Sequence, residues 1–383
     1  MSVCKKIFCF LLTSVLLIGV LVYTVPVSAL SVSAKSAILM DASSETVLYE
    51  KNGHEKLPMA STTKIMTALV AIEGFDLEET ILIPAEATGI EGSSIYLCVG
   101  EKLTLRQLLY ALLLSSANDA ATAIAIHCSG SIGAFAERMN STAKAIGLAN
   151  THFDNPHGLD SKDHYTTAYD LAKLTAYALK NPEFKQIVST YKTEIPLGDN
   201  KNARLLVNHN KLLRSYEGTI GVKTGFTKKS GRCLVSAAER NGTVLIAVTL
   251  KAPDDWRDHT VMLDYGFKNY VSEKLSPDPS VFSMPVVSGT VSSVSCAARE
   301  DIYALLPKGH GTLICRIEMP KFEYAPIAKG EILGKVTYFC DGQELASADI
   351  FAIQSVSLKK QKYTIWDRIS NFIKKVLYEQ NKQ

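Results

Sequence analysis

Three short triplets in this 383-residue chain carry side chains able to do nucleophilic chemistry. Ser61 stands three residues before Lys64, Ser116-Ala117-Asn118 follows, and Lys223-Thr224-Gly225 comes later. A serine hydroxyl is a poor nucleophile until a base takes its proton, and a lysine serves as that base only when desolvation or a second cation lowers its pKa. Lys64 has the reach, because a residue three positions on lies one turn away on the same helix face. Lys223 supplies the second cation. Ser116 would relay the proton to a leaving amine, while Asn118 would hydrogen-bond a substrate backbone and hold Lys64 in place. The Ser61 N–H, at the unpaired start of its helix, is one oxyanion donor, and the N–H of Phe226, just past the third triplet, is the candidate for the second. Gly225 lacks a Cβ, so a peptide is expected to lie close along that strand and pair with its edge.

Ser-x-x-Lys alone says little, since roughly one or two matches are expected in a chain of this size. Ser2/Lys5, Ser141/Lys144, Ser189/Lys192 and Ser357/Lys360 match as well. Ser61 differs in its setting: Pro58-Met59-Ala60 leads in, and Ile65, Met66, Leu69, Val70 and Ile72 follow at helical spacing. It should open a buried helix.

With these three triplets in this order, the chain resembles the low-molecular-mass penicillin-binding proteins, specifically the serine D-alanyl-D-alanine carboxypeptidases. The likeness covers roughly residues 35 to 360 and includes Asp154-Asn155-Pro156-His157-Gly158-Leu159-Asp160, a stretch such enzymes tend to carry near the site. It implies a peptidoglycan stem peptide ending in D-Ala-D-Ala as substrate, acylation of Ser61 at the penultimate carbonyl, β-lactam antibiotics as ligands of the same serine, and no cofactor. Two positions depart from common patterns: Ala117 stands where β-lactamases often carry Asp, and Phe226 follows the glycine where a polar residue often sits. The second departure leaves only the backbone of Phe226 as a functional group there.

The elements that must hold these residues read as strands at both ends with helices between. Ala37 to Asp41 and Thr46 to Glu50 form a hairpin around Ser43-Ser44-Glu45. A second helix opens at Thr104 with Gln107 three residues later, a capping-box pattern, and Ser116 and Asn118 fall in the turn after it. Phe135, Met139, Ala143 and Ile146 mark a further helix that stops at Gly147, and another runs from about Thr167 to Lys180. Strands return at Thr219 to Lys223, Leu234 to Ala238 and Val244 to Leu250, the last two joined at Asn241-Gly242. Ends that pair across a helical insertion imply an α+β, β-lactamase/transpeptidase-like catalytic domain over 35–275, an antiparallel sheet with a helical cluster. Arg257 follows the hairpin and is placed either beside the substrate carboxylate with Lys223 and Thr224 or at an exposed helix start. His157 reads as a packed histidine or loop strut, because Lys64 already fills the role of base.

Around this domain the sequence has an exported plan. Lys5-Lys6 precede an apolar run from Ile7 to Tyr23, and Val27-Ser28-Ala29 or Ser31-Val32-Ser33-Ala34 offers small-residue cleavage sites, so 1–34 is read as a signal peptide, with an uncleaved anchor as the alternative. Pro277, Pro279 and Pro285 mark a linker. Short apolar runs at Val291 to Cys296, Leu313 to Ile317 and Ile332 to Phe339 then give a small all-β domain over 280–358. In 359–383, Ile365, Trp366, Ile369, Phe372, Ile373, Val376 and Leu377 recur at helical spacing, with Lys359, Lys360, Lys362, Arg368, Lys374 and Lys375 around them. An apolar face with a basic rim suits a helix lying in a membrane surface, here the outer face of the bacterial cytoplasmic membrane, though it would also suit a helix docked on the protein.

A net charge of +3 is too small to argue for nucleic acid as a partner. Past the signal, Cys98, Cys128, Cys233, Cys296, Cys315 and Cys340 show neither C-x-x-C spacing nor a partner histidine pattern, so no metal site is expected. A β-lactamase would share the acylation apparatus but needs a base, commonly a Glu on a Pro-containing loop, for fast release. The nearest candidate, Glu137 with Asn140, falls within a regular helix. A penicillin-sensing or wall-binding module that keeps the site without turnover is the non-enzymatic alternative.

Overall fold

The computed structural model describes residues 30–198, 202–275, 282–298, 302–360 and 365–380. Most of the expected signal, together with Pro277, Pro279 and Lys362, lies outside the described residues, as do the side chains of Arg368, Lys375, Val376 and Leu377.

β1 (Ser36–Asp41) and β2 (Val47–Lys51) form the hairpin read from the sequence. Ser61 lies in a 3-10 turn over Ala60–Thr63 that runs directly into α1 (Lys64–Gly74), so Lys64, not Ser61, opens the α-helix. Every residue of α1 from Lys64 to Ala71 is buried, as expected of a helix enclosed on all sides. The ribbon β3 (Thr80–Leu82) and β4 (Lys102–Thr104) leads into α2 (Leu105–Leu114). There the capping box forms: Gln107 N–H donates to Thr104 Oγ1 (3.2 Å) and Thr104 N–H to Gln107 Oε1 (2.9 Å). α3 (Asn118–Ser129), α4 (Ile132–Ala145), α5 (Ala168–Ala178) and α6 (Pro182–Ser189) complete the helical cluster. A second ribbon, β5 (Lys192–Leu197) and β6 (Asn202–Val207), and the single turn α7 (Leu212–Ser215) precede the return to the sheet.

β7 (Thr219–Thr227), β8 (Gly231–Arg240) and β9 (Thr243–Leu250) join the first hairpin in an antiparallel sheet of order β2-β1-β9-β8-β7. Asn241 and Gly242 both have positive φ, which suits the β8–β9 hairpin. Alternation along the strands buries both faces. Ile38, Met40, Val235, Ala237, Ile246 and Val248 meet the helical cluster, while Ala37, Leu39, Ala238, Leu245 and Ala247 meet Met262, Leu263 and Phe267 of α8 (Asp255–Asn269). Only β2 and β7 are edges, and β7 carries the third triplet.

β10 (Tyr270–Lys274) pairs with β13 (Tyr303–Pro307), so the β-rich part of the chain begins at Tyr270. β11 (Ser283–Val287), β12 (Ser293–Ala298), β14 (Leu313–Glu318), β15 (Glu323–Tyr324), β16 (Ile332–Cys340) and β17 (Gln343–Ala352) form a second sheet, with Met284, Val294, Val336 and Ile350 in a separate core. Pro285, expected in the linker, is instead inside β11. Val286 N–H bonds Ser292 O on the β12 side, so the neighbouring Pro285 nitrogen faces the β15 side, where pairing begins only at Val286 and no N–H is required. Terminal α9 (Ile365–Gln380) exposes Ile365, Trp366, Ile369, Phe372 and Ile373. Among the described residues no helix is long and apolar enough to cross a membrane.

Candidate active site

The 3-10 turn brings Ser61 and Lys64 together more closely than an α-helical turn would, because side chains at i and i+3 of a 3-10 helix eclipse. Its threonines stabilise the tight turn: Thr62 Oγ1 donates to Met59 O (2.6 Å) and Thr63 Oγ1 to Ala60 O (2.9 Å). Lys64 is fully buried, and its Nζ lies 3.0 Å from Ser61 Oγ, 2.6 Å from Asn118 Oδ1 and 2.6 Å from His157 O. An amide oxygen and a carbonyl oxygen can only accept, so they fix two of the amine's N–H bonds. The Ser61 hydroxyl is the one partner of the three that can donate. A neutral Lys64 therefore aims its lone pair at Ser61.

The surroundings also shift the balance toward the neutral form. Burial pushes the Lys64 ammonium well below its ordinary 10.5, the Lys223 charge pushes the same way, and Asp119 opposes both. Lys223 is itself buried, which lowers it to about 7, and its Nζ donates to Thr224 O (2.9 Å).

Asn118 opens α3 and is held from above, its N–H bonding Ser93 O (2.7 Å) and its Nδ2 bonding Glu91 O (2.6 Å). Sequence reading missed Asp119. This buried carboxylate accepts from Ser94 Oγ (2.6 Å), Ile95 N (3.2 Å) and Leu97 N (3.1 Å), pinning the 93–97 segment over α3. Ser116, buried beside them, sits at φ +60°, and Ala60, just before the nucleophile, at φ +47°. A left-handed backbone costs a non-glycine residue about 1–3 kcal/mol, and such strain concentrates at functional sites.

The Asp154–Asp160 stretch reaches the site through its backbone. Asn155 Oδ1 accepts from Gly158 N (2.7 Å), and the turn so formed directs the His157 carbonyl at Lys64. The His157 ring, held at about 3 chiefly by burial, stays neutral. Gly158 has φ +89°, and a Cβ there would stand 1.9 Å from Ala60 O, so only glycine fits against the nucleophile's turn. His164, lowered by burial to about 4, accepts from Asp154 N at Nδ1 (3.0 Å). Its proton therefore sits on Nε2, facing Thr63 Oγ1 at 2.7 Å.

Gly225 also packs against the nucleophile's own turn. A Cβ would lie 3.0 Å from Ser61 N and 3.2 Å from Met59 O, so the missing side chain admits the Ser61 turn itself. Phe226 N–H does face the open edge. Arg232, opposite Phe226, accepts from Ala252 N at its carbonyl (2.9 Å) on the β9 side, so this is a non-hydrogen-bonded pair whose Phe226 N–H and C=O turn away from β8. Arg257 is exposed on the first turn of α8 and does not line the cleft. Arg232 does, braced by Asp255 (Nε–Oδ1 2.9 Å) and stacked over Trp256 (5.7 Å). Nothing in the spacing of Arg232 marks it, since only strand register brings it to Phe226. Glu137 is exposed on α4.

Ser61, Ser93 and Phe226 divide the cleft into two lobes. One, of about 560 Å³, is lined by Ser116, Thr224, Arg232 and Trp256; the other, of about 410 Å³, by Asn118, His157, Gly158, Leu159 and Thr227. The arrangement can acylate and deacylate a serine. Cys98, Cys128, Cys233, Cys296, Cys315 and Cys340 are unpaired, and among the described residues no cluster of acids, histidines and cysteines suits a metal.

A family model described as D-alanyl-D-alanine carboxypeptidase matches residues 23–254, and one described as penicillin-binding protein 5, C-terminal domain, matches residues 273–357. D-alanyl-D-alanine carboxypeptidase DacF of Bacillus subtilis (strain 168) is 35% identical over 364 residues, covering 89% of this chain and 93% of the relative. The structure of penicillin binding protein 5 from Haemophilus influenzae matches with a TM-score of 0.74 at 30% identity, over 85% of this chain and 98% of that one. The Streptomyces K15 DD-transpeptidase matches with a TM-score of 0.60 at 34% identity, over 63% of this chain and 100% of that one. Fold and site together define a penicillin-binding serine hydrolase with a catalytic α+β domain and a C-terminal all-β domain. The chain belongs to the D-alanyl-D-alanine carboxypeptidase family and is of the serine type.

Proposed function

We propose that Ser61 attacks the penultimate carbonyl of a stem peptide ending in D-Ala-D-Ala, releases the last D-Ala, and passes the acyl group to water during cell-wall maturation. The observation that carries this reading is the Lys64 amine, whose two N–H bonds are committed to Asn118 Oδ1 and His157 O and whose third position faces Ser61 Oγ. Lys64 takes the hydroxyl proton, and Ser116 passes it to the departing nitrogen. The oxyanion is met by the N–H groups of Ser61 and Phe226. Cations mark the lobe of Ser116, Thr224 and Arg232 as the place for the terminal D-Ala and its carboxylate, so the other lobe takes the acyl half. Deacylation reverses the proton path, with Lys64 activating the water.

Export and surface attachment complete the proposal. Val32 and Ala34 are buried, and Ser33 N, Ser33 Oγ and Ala34 N all donate to the Asp258 carboxylate (2.8–3.0 Å). Cleavage after Ala29 keeps those contacts, and cleavage after Ala34 would discard them. The exposed apolar residues of α9, with Lys359, Lys360 and Lys374 nearby, support a helix that rests on an anionic membrane surface.

The decisive experiment combines two readouts. Purified protein should release D-Ala from diacetyl-L-Lys-D-Ala-D-Ala, and benzylpenicillin should leave a lasting mass increment on the peptide containing Ser61. Absence of D-Ala release, full activity in Ser61→Ala, or an adduct on a different side chain defeats the reading.

A further inference from the structure

The amine-side lobe continues beyond the space a D-alanine needs. Asn208 and Lys211 on its wall also line an adjoining hollow of about 370 Å³ bounded by Tyr191, Val207, Asn210 and Arg214. The first lobe alone, at about 560 Å³, is in the range that holds a drug-sized ligand, whereas the departing D-alanine has only a methyl side chain. Charge in the extension is of one sign: Lys211 and Arg214 line it, and no acidic residue does. Arg214 is oriented by Tyr191, its guanidinium 5.2 Å from the ring centroid and its Nη1 donating to the phenol oxygen (3.0 Å). Lys211 Nζ lies 6.0 Å from the Trp256 ring. Asn210, also on the wall, has a buried Nδ2 with no hydrogen-bond partner among the described residues.

We propose that this lobe and its extension form one leaving-group subsite that admits D-amino acids larger than alanine, above all those whose side chain ends in a second anionic group. The inference rests on the acyl-enzyme reading above and extends it to a second class of stem-peptide terminus. The leaving residue's α-carboxylate keeps the place of the D-alanine carboxylate beside Thr224 and Arg232. Its side chain runs past Lys211, and the anionic end meets Arg214. Chemistry at the carbonyl is unchanged: the Ser61 Oγ–C bond forms, the C–N bond breaks, and the serine proton travels through Lys64 and Ser116 to the departing amine. Water then displaces the acyl group and returns a proton to Ser61 Oγ.

Three peptides that share the acyl half diacetyl-L-Lys-D-Ala, and end in D-alanine, D-2-aminoadipate or the neutral near-isostere D-norleucine, test this on the full chain. Aminoadipate release should exceed norleucine release by about tenfold in kcat/KM, the scale of one hydrogen bond to a charged group. Arg214→Gln should bring the aminoadipate peptide down to the norleucine level and leave the D-alanine peptide within about twofold of wild type. Equal rates for the aminoadipate and norleucine peptides in wild type, or an Arg214→Gln variant that slows all three alike, overturns the subsite. If wild type releases none of the three amino acids, D-alanine included, it is the carboxypeptidase reading itself that has failed.

Discussion

Replacing Lys223 by methionine should displace the acylation pH profile and make the protein more stable at acid pH. Burial holds the Lys223 ammonium at about 7 against its ordinary 10.5. At about 1.4 kcal/mol per pH unit, that displacement amounts to about 5 kcal/mol of folding free energy committed, at acid pH, to keeping a charge away from water. Methionine removes the charge but also loses the 2.9 Å bond to Thr224 O, and an acceptor left without its donor costs about 2 kcal/mol. The net gain at pH 6 is about 3 kcal/mol, which corresponds to about 6–12 °C in melting temperature for a domain of this size. Its sign with pH follows from linkage. The folded pKa lies below the unfolded one, so between about pH 7 and 10.5 the unfolded chain still holds a proton that the native protein has shed, and wild-type stability rises relative to the variant. Methionine's advantage should therefore be largest at pH 6, shrink above pH 7, vanish near pH 9, and give way at pH 10 to a wild type about 1 kcal/mol the more stable. Thermal melts of both proteins at pH 6, 8 and 10 read this out. Penicillin acylation followed alongside should show its rise displaced to higher pH in the variant, because Lys64 has lost a neighbouring charge. A variant that melts below wild type at pH 6, or a difference that ignores pH, would refute the argument that Lys223 is a costly desolvated cation.

Gly158→Ala forces a Cβ to within 1.9 Å of Ala60 O at φ +89°, and the displaced Ser61 turn should slow penicillin acylation about 100-fold. Gly130→Ala, at φ +78° with nothing nearby, should cost only about 1–2 kcal/mol of stability and leave acylation unchanged, which separates backbone strain from loss of the site. Arg232→Gln should raise KM for diacetyl-L-Lys-D-Ala-D-Ala about tenfold with kcat little changed, and a fall in kcat at constant KM would remove Arg232 from the carboxylate. The export proposal expects N-terminal sequencing of secreted protein to begin at Leu30, and a start at Lys35 would contradict the importance of the Ser33–Asp258 contacts. Truncation before Tyr363 should move the protein from the membrane fraction to the soluble one, and unchanged partitioning would argue against attachment through α9.

The triplets that meet at the candidate site are legible in the sequence because each is local: Ser61 and Lys64 share a turn, and Thr224 and Gly225 share a strand with Lys223. What was hidden arrives from elsewhere in the chain. The His157 carbonyl completes the Lys64 cage from 93 residues away, and no residue-type rule anticipates a backbone oxygen. Arg232 reaches the cleft only through the β7–β8 register, whereas Arg257, placed by chemistry alone as a candidate, turned out to be exposed. Gly225 suggests room for a ligand, and the structure adds that it also makes room for the Ser61 turn, a contact across 164 positions of chain that spacing does not encode. The two-domain plan followed from strand patterning and proline placement, but Pro285 shows that composition blurs a linker with a strand whose open side tolerates proline.

An unpaired sheet margin is ordinarily a hazard, because any extended chain can zip onto it and start aggregation. This protein cannot cover the outer side of β7 with a permanent neighbour without also covering Phe226 N–H. Its protection is therefore partial: the Ser61 turn packs against Gly225, and Lys228 and Lys229 place two exposed charges where the strand ends. Selection for solubility and selection for activity act here on the same few backbone groups. Neutralising Lys228 and Lys229 would remove a safeguard against self-association without altering any side chain that contacts the reacting carbonyl.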